Sequence, residues 1–262
     1  MRMTDIRILH TIAELEAVVD LEVAVWGLNP RDAVPSYVMH VAVDRGGLAL
    51  GAYEADRMVG MLFALPVKDH GEWILWSHMT GIHPDFQGRG VGAALKRAQR
   101  TWALENGYRK VAWTFDPLQR GNAHFNFHVL GGDAAMVSHV YHVNFYGDMD
   151  DDINRGMPSD RIEAVWLIDQ PNLHTSIPAD AITVLAAGDQ LQPLLTLAAE
   201  KWNAPVYRAA VPQDLNAVRA KGDALAWRLA LREALQTAFA HGYQIVDFKD
   251  FAYILKPVEA IS

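Results

Sequence analysis

The sequence predicts a mixed fold: a central, mostly antiparallel sheet flanked by helices, followed by a C-terminal α/β lobe. Three observations carry this expectation. Apolar runs at residues 47–53, 58–67 and 72–82 succeed one another across short connections, the pattern of an antiparallel meander. After Pro84 the apolar spacing turns helical and a strand returns at 110–115, so a strand, a glycine-rich loop, a helix and a strand follow in order. The acidic, turn-rich stretch between Gly147 and Asp160 then separates this pattern from a second series of strands and helices.

The elements follow from local chemistry. Residues 6–9 form a short β-rich run, and 14–26 place Leu15, Val18, Val19, Val23 and Trp26 at helical spacing until Gly27 and Pro30 end it. Glu54-Ala55-Asp56-Arg57 has the length and polarity of a hairpin connection, and His70-Gly71 turns the chain into the third strand. Beyond Pro84, Val91, Ala94, Leu95, Ala98, Trp102 and Leu104 favour one helical face, with the basic residues expected on the other and Asn106-Gly107 as the stop. A short helix over 122–130, ended by Gly131-Gly132, and a strand over 136–145 complete the first half. In the second half we expect strands at 162–168, 182–187 and 207–211, and helices near 191–202 and at 224–240. A closing β pair at 243–248 and 252–255 ends it. Two domains are expected, 1–147 and 148–262.

Composition excludes several functions. With 262 residues the chain can bury a proper core, and with no cysteine it offers neither disulfides nor a thiolate nucleophile or metal ligand. A net charge of −8 argues against nucleic-acid binding, which leans on surplus Lys and Arg. No apolar run approaches the ~18 residues of a membrane span, and the N-terminus lacks a secretory pattern, so the expected address is cytoplasmic with no membrane contact. Within this acidic chain, Arg89, Lys96, Arg97, Arg100, Arg109 and Lys110 against Glu105 alone form a basic island suited to a small anion.

That island begins at the loop Gln87-Gly88-Arg89-Gly90-Val91-Gly92. Glycines at 88, 90 and 92 let the backbone approach a ligand and present successive amides at the start of a helix, an arrangement suited to phosphate. The loop is not a Walker loop, because no Lys-Ser or Lys-Thr follows the last glycine, and it is a poor dinucleotide fingerprint.

The run from His83 to Gly92, with its flanking strand and helix, resembles the acyl-CoA-binding motif of the GNAT N-acyltransferase superfamily. Gln87, Gly90 and Gly92 match the motif's core, and Ile82 and Pro84 match the hydrophobic residue and proline before it. Asn122-Ala123 with Leu130-Gly131 resembles that family's second cofactor-contacting helix. The resemblance implies a GNAT-like sheet with the pantetheine arm lying between splayed strands and the pyrophosphate on the amides of Arg89 to Gly92. It also implies backbone contact from Met79, Gly81 and Ile82, and a hydrogen bond from Asn122. Our separate expectation is that Arg97 or Arg100 meets the 3′-phosphate. Three further stretches, 113–118, 122–126 and Tyr146-Gly147, are similar to a group of predicted bacterial GNAT proteins of about this length, for which no substrate is assigned. The C-terminal lobe is open to two readings, a degenerate second GNAT-like half or an acceptor-binding cap.

The implied reaction is direct transfer of an acyl group, acetyl by default, from acetyl-CoA to the amine of a small molecule, with CoA released. Two alternatives stand beside it: a non-catalytic acyl-CoA binder or sensor, and a protein-lysine acyltransferase that uses the acidic run 148–152. Monomer and homodimer both remain open. Counting along the third strand puts Trp76, His78, Thr80 and Ile82 on one face, and an imidazole with an ordinary pKa near 6.5 suits proton removal from the amine, so His78 is the expected base. In the family a tyrosine often donates this proton, and its position falls at Phe127, which cannot donate, so the role passes to another group such as Tyr141 or Tyr146, to water, or to no group. Arg161, Trp166, Trp202 and Tyr207 are candidate acceptor-pocket residues if the second half caps the first. His124 and His128 stand four apart, a spacing two metal ligands can use, but the sequence fixes no acidic third ligand and no metal is expected.

Overall fold

The computed structural model describes residues 4–147, 156–174, 176–196 and 202–258. The chain divides into two compact units, residues 1–113 and 114–262. The boundary expected at 147/148 adjoins 148–155, which lie outside the described residues.

The first unit is built on a sheet of strand order β1-β2-β3-β4-β5. Its strands are β1 (Asp5–Ile8), β2 (Leu48–Glu54), β3 (Arg57–Asp69), β4 (Glu72–Ile82) and β5 (Lys110–Phe115), the last of which runs across the division. The first four strands are mutually antiparallel and β4 to β5 is parallel, as a meander feeding a strand–helix–strand crossover requires. Helix α1 (Ile12–Trp26) opens on a Thr11/Glu14 capping box and ends on Gly27 at φ 64°. It buries Leu15, Val18 and Leu21 against Met39, Met61, Phe63 and Met79. Helix α2 (Ser36–Asp44) was not expected from the sequence, since only its Met39 is buried and the apolar spacing is irregular. Helix α3 (Val91–Glu105) agrees with the expected span, with two corrections to its faces. Lys96 belongs to the buried side, 3% exposed, rather than to the solvated basic face, and Leu104, in the last turn, faces solvent.

The second unit holds a smaller antiparallel group in which β8 (Arg161–Leu167) pairs with β6 (Ala135–Val137) and β7 (Tyr141–His142). The strand expected over 136–145 is thus two short pieces, and the chain turns at Asn144, φ 49°. A further sheet runs β10 (Pro193–Leu195), β9 (Ile182–Ala187), β11 (Tyr207–Ala210), β13 (Ala252–Pro257), β12 (Tyr243–Lys249). The expected helix near 191–202 is corrected over its described part. Pro193, which has no amide to donate, opens a strand paired with β9, while 197–201 lie outside the described residues. Helix α4 (Arg120–Ala123) continues directly into a π-helix, His124–Leu130. Helix α5 (Leu215–Lys221) precedes α6 (Ala224–Ala240), which buries Trp227, Leu231, Leu235 and Ala238 as its spacing requires. None of the described helices is long and apolar enough to cross a membrane.

Candidate functional site

The glycine-rich loop takes the shape its residues dictate. A 3-10 turn over Pro84–Phe86 leads to Gln87, whose side-chain amide donates to the Ile82 carbonyl at 3.2 Å and ties the loop to the end of β4. Gly88 and Gly90 adopt φ 71° and 83°, backbone that a side chain would strain. Gly90 is the N-cap of α3, and no side chain caps that terminus, so the first-turn amides of a 15-residue helix point outward beside positively poised dipole ends. No atom lies within 4 Å of where a Cβ would stand on Gly88 or Gly90. This cradle of bare amides fits a phosphate group. Arg89 rests over the Phe86 ring at 4.9 Å, Arg57 does so at 5.3 Å, and Arg57 also meets His83 Nε2 at 2.9 Å.

The strand leading into the loop has one open edge. Pairing between β4 and β5 covers Leu75–Val111 and Trp76–Ala112 only, whereas Ser77 to Ile82 run on, held by β3 on their other side from Ala64 to Gly60. Among the described residues no strand pairs with that continuing edge. The β3–β4 ladder also shifts register between Phe63 and Ala64, and His78 is the extra residue of the resulting bulge, between Ser77 and Met79. His78 is exposed while Ser77, Met79 and Gly81 are buried, so the expected alternation of faces holds. Its ring stands edge-on to Phe63 at 6.0 Å, and partial burial lowers its pKa below the ordinary 6.5. The imidazole is therefore a free base at neutral pH.

Behind this strand, Lys96 donates to Ser77 Oγ at 2.8 Å and Gln99 Oε1 at 3.3 Å, with its ammonium 3.7 Å from the Trp113 ring centre. Burial brings its pKa down to about 7. Arg97 is exposed on α3 and Arg100 is half-buried. Val91 turns its side chain inward, beside Gly60, leaving its amide as the group it can offer.

The remaining candidates belong to the second unit. Asn122 is exposed on α4. Phe127 is fully buried, with the Phe115 and Tyr253 rings about it at 6.1 and 6.0 Å, so it is a core residue. Tyr141 is spent on structure: its hydroxyl donates to Asp160 at 2.7 Å, and burial raises its pKa well above 10. Tyr146 is 55% exposed, with its hydroxyl 3.5 Å from Thr114 Oγ1 and its ring 5.2 Å from the Arg161 guanidinium.

A network that sequence reasoning missed fixes Tyr146. Asp160 accepts two bonds from Arg232, at 2.8 and 2.9 Å, and one from the Asn144 amide. Ser159 Oγ in turn accepts from the Tyr146 amide and donates to the Gly147 carbonyl. The signal available was the Ser159-Asp160-Arg161 run, but its partner Arg232 lies 72 residues on. Trp166 and Tyr207 are buried, and Trp202 packs on Tyr207, Tyr243 and His241, which makes these three parts of the second unit's packing. The acidic run 148–152 lies outside the described residues.

Residues 15–126 match the sequence model of the acetyltransferase (GNAT) family. The ribosomal-protein-S18-alanine N-acetyltransferase of Escherichia coli superposes with a TM-score of 0.51 at 15% identity, over 67% of this chain and 100% of its own. The yncA protein of Salmonella typhimurium, solved with its cofactor acetyl-CoA, superposes with a TM-score of 0.50 at 17% identity, over 68% and 99%. At such identities the likeness shows the fold. No curated protein matches the chain.

Proposed function

We propose, from the match of residues 15–126 to the acetyltransferase (GNAT) family model, that the protein transfers an acyl group, acetyl by default, from coenzyme A to the amine of a small molecule. The observation that carries the reading is the open edge of β4 running into an uncapped helix terminus through Gly88 and Gly90. Arg89 to Gly92 hold the pyrophosphate on their amides, and Arg97 meets the 3′-phosphate. Met79, Gly81 and Ile82 align the pantetheine and thioester by backbone contact, and Asn122 bonds the pantetheine arm. Bound acetyl-CoA supplies an activated carbonyl and a thiolate leaving group.

The residues of the chain supply the proton traffic. His78, unprotonated at neutral pH, accepts the amine's proton directly or through one water as nitrogen attacks the carbonyl carbon. Tyr146 donates a proton to the departing sulfur as the carbon–sulfur bond breaks, the task that buried Phe127 cannot perform. A second reading has its own support. With a phenylalanine where the family often places its acid, the protein is a non-catalytic acyl-CoA binder.

Calorimetric titration with acetyl-CoA and longer acyl-CoAs, followed by a free-thiol assay across a panel of amines, tests both readings. Micromolar binding with amine-dependent thiol release supports transfer, and binding without release selects the binder. Absence of binding sinks the loop assignment itself. In the transferase, His78→Ala lowers kcat by about a hundredfold or more without weakening acetyl-CoA binding.

A further inference from the structure

We propose that His128, His174 and Asp247 form a binding site for one divalent transition-metal ion, with zinc the best match. Three separated pieces of chain bring these residues together in the second unit: the π-helix, the loop between β8 and β9, and strand β12. Their ligating atoms all lie within 4.8 Å of one another. His128 Nδ1 stands 3.0 Å from Asp247 Oδ1, and His174 Nε2 stands 3.5 Å from the same oxygen. A tetrahedral ion with bonds of about 2.0–2.1 Å needs ligand atoms about 3.3 Å apart. The two distances to Asp247 Oδ1 bracket that spacing, and the two imidazole nitrogens, within 4.8 Å of each other, close around an ion by side-chain rotation. Two imidazoles and a carboxylate are also the ligand set that zinc shares with other first-row divalent ions.

The surroundings orient each ligand. Asp247 is 1% exposed, and its Oδ1 accepts from the Phe248 amide at 2.7 Å, leaving that oxygen a second lone pair. Lys249 lies 3.2 Å from Oδ2, so Oδ1 is the ligating atom. The two imidazoles are stacked at 5.1 Å and only 8° from parallel. His174 has room because of glycine: a Cβ on Gly131 would strike the Phe127 carbonyl and come within 3.1 Å of His174 Nε2, and one on Gly132 would come within 3.5 Å of the ring. The Phe127 carbonyl, 2.9 Å from His174 Nε2, would accept a hydrogen bond from a water completing the shell. His128 lies in a π-helix, a form concentrated at functional sites.

The ion is a staple for a unit without cysteine. It joins β12 to the π-helix and to the segment before β9, and it takes no part in acyl transfer, so its test does not depend on activity. With His128 Nδ1 and His174 Nε2 as ligating nitrogens, each bound ring carries its proton on the other nitrogen, and ion uptake breaks both the His128–Asp247 and the His174–Phe127 hydrogen bonds. Full-length protein stripped by a chelator and dialysed against zinc chloride is assayed for bound metal by elemental analysis and for thermal midpoint. We expect one equivalent of zinc and a raised midpoint in the wild type. His174→Ala and His128→Ala, checked for native circular dichroism, should weaken zinc by more than the tenfold to hundredfold cost of losing an outer-shell partner. Cobalt substituted in the wild type should give the visible absorption of a low-coordinate site, lost in H174A. Failure of the wild type to take up stoichiometric zinc overturns the proposal, as does equal uptake by folded H174A and H128A.

Discussion

Replacing Lys96 with methionine should stabilise the protein at neutral pH, and the gain should fade as pH rises. The ammonium group lies inside the first unit, 3% exposed, between Ser77, Gln99 and the face of Trp113. Its pKa falls from 10.5 to about 7, a depression of about 3.5 units at about 1.4 kcal/mol each, so the charged form costs about 5 kcal/mol in the fold. Contact with the Trp113 face returns on the order of 2 kcal/mol, less than the desolvation cost, so desolvation wins. Between pH 7 and 10.5 the unfolded chain binds more protons at this lysine than the folded one, so stability rises with pH across that window and is flat below it. Worked through, the penalty is about 4 kcal/mol at pH 7 and about 2 at pH 9. The hydrogen bonds lost in K96M are independent of pH and cancel when the two pH values are compared. Urea unfolding of wild type and K96M at pH 6, 7, 8 and 9 should show the wild type gaining about 2 kcal/mol on the variant from pH 7 to 9, and little from 6 to 7. A difference constant over the whole range would refute the buried, easily deprotonated lysine.

Other perturbations address the site and its supports. Gly90→Val places a β-branched residue at φ 83°; it should cost about 1–3 kcal/mol in unfolding experiments and weaken acetyl-CoA more than tenfold by calorimetry. If H78A abolishes the acid limb of the kcat/KM profile, and that limb lies below pH 6.5 in the wild type, His78 is the base; a limb that survives the substitution assigns it elsewhere. Tyr146→Phe should lower kcat with little change in KM, and an unchanged kcat would take Tyr146 out of proton transfer. Arg228, fully buried on α6, clamps Asp116 through bonds of 2.6 and 3.0 Å. Arg228→Met alone should therefore cost about 3–5 kcal/mol by leaving a buried carboxylate, whereas R228M with Asp116→Leu should recover much of that loss.

What the sequence disclosed divides by the range of the interactions. The β2–β4 meander, the loop at 87–92 and the spans of α3 and α6 were legible because hydrophobic period, glycine and turn chemistry act within a few residues. Helix α2 escaped because Pro35 and Ser36 open it without a side-chain cap bond and its exposed Tyr37, Val38 and Val41 blur the apolar face. Lys96 read as surface because charge is the usual mark of solvent, and its partner Ser77 lies 19 residues away. The His128–Asp247 and Arg228–Asp116 pairs span 119 and 112 residues, so no local pattern announces them. The π-helix differs from an α-helix by one residue per hydrogen-bonded turn, a register that propensity does not encode.

The open edge of β4 bears on how such a protein can change. An unpaired strand edge offers the same alternation of amides and carbonyls whatever side chains it carries, because every residue but proline has one of each. Recognition written in main chain is nearly immune to point substitution, provided no proline or new strand partner arrives and Gly88 and Gly90 keep the path of the turn. Side chains on the exposed face can then change more freely than the main-chain edge beneath them.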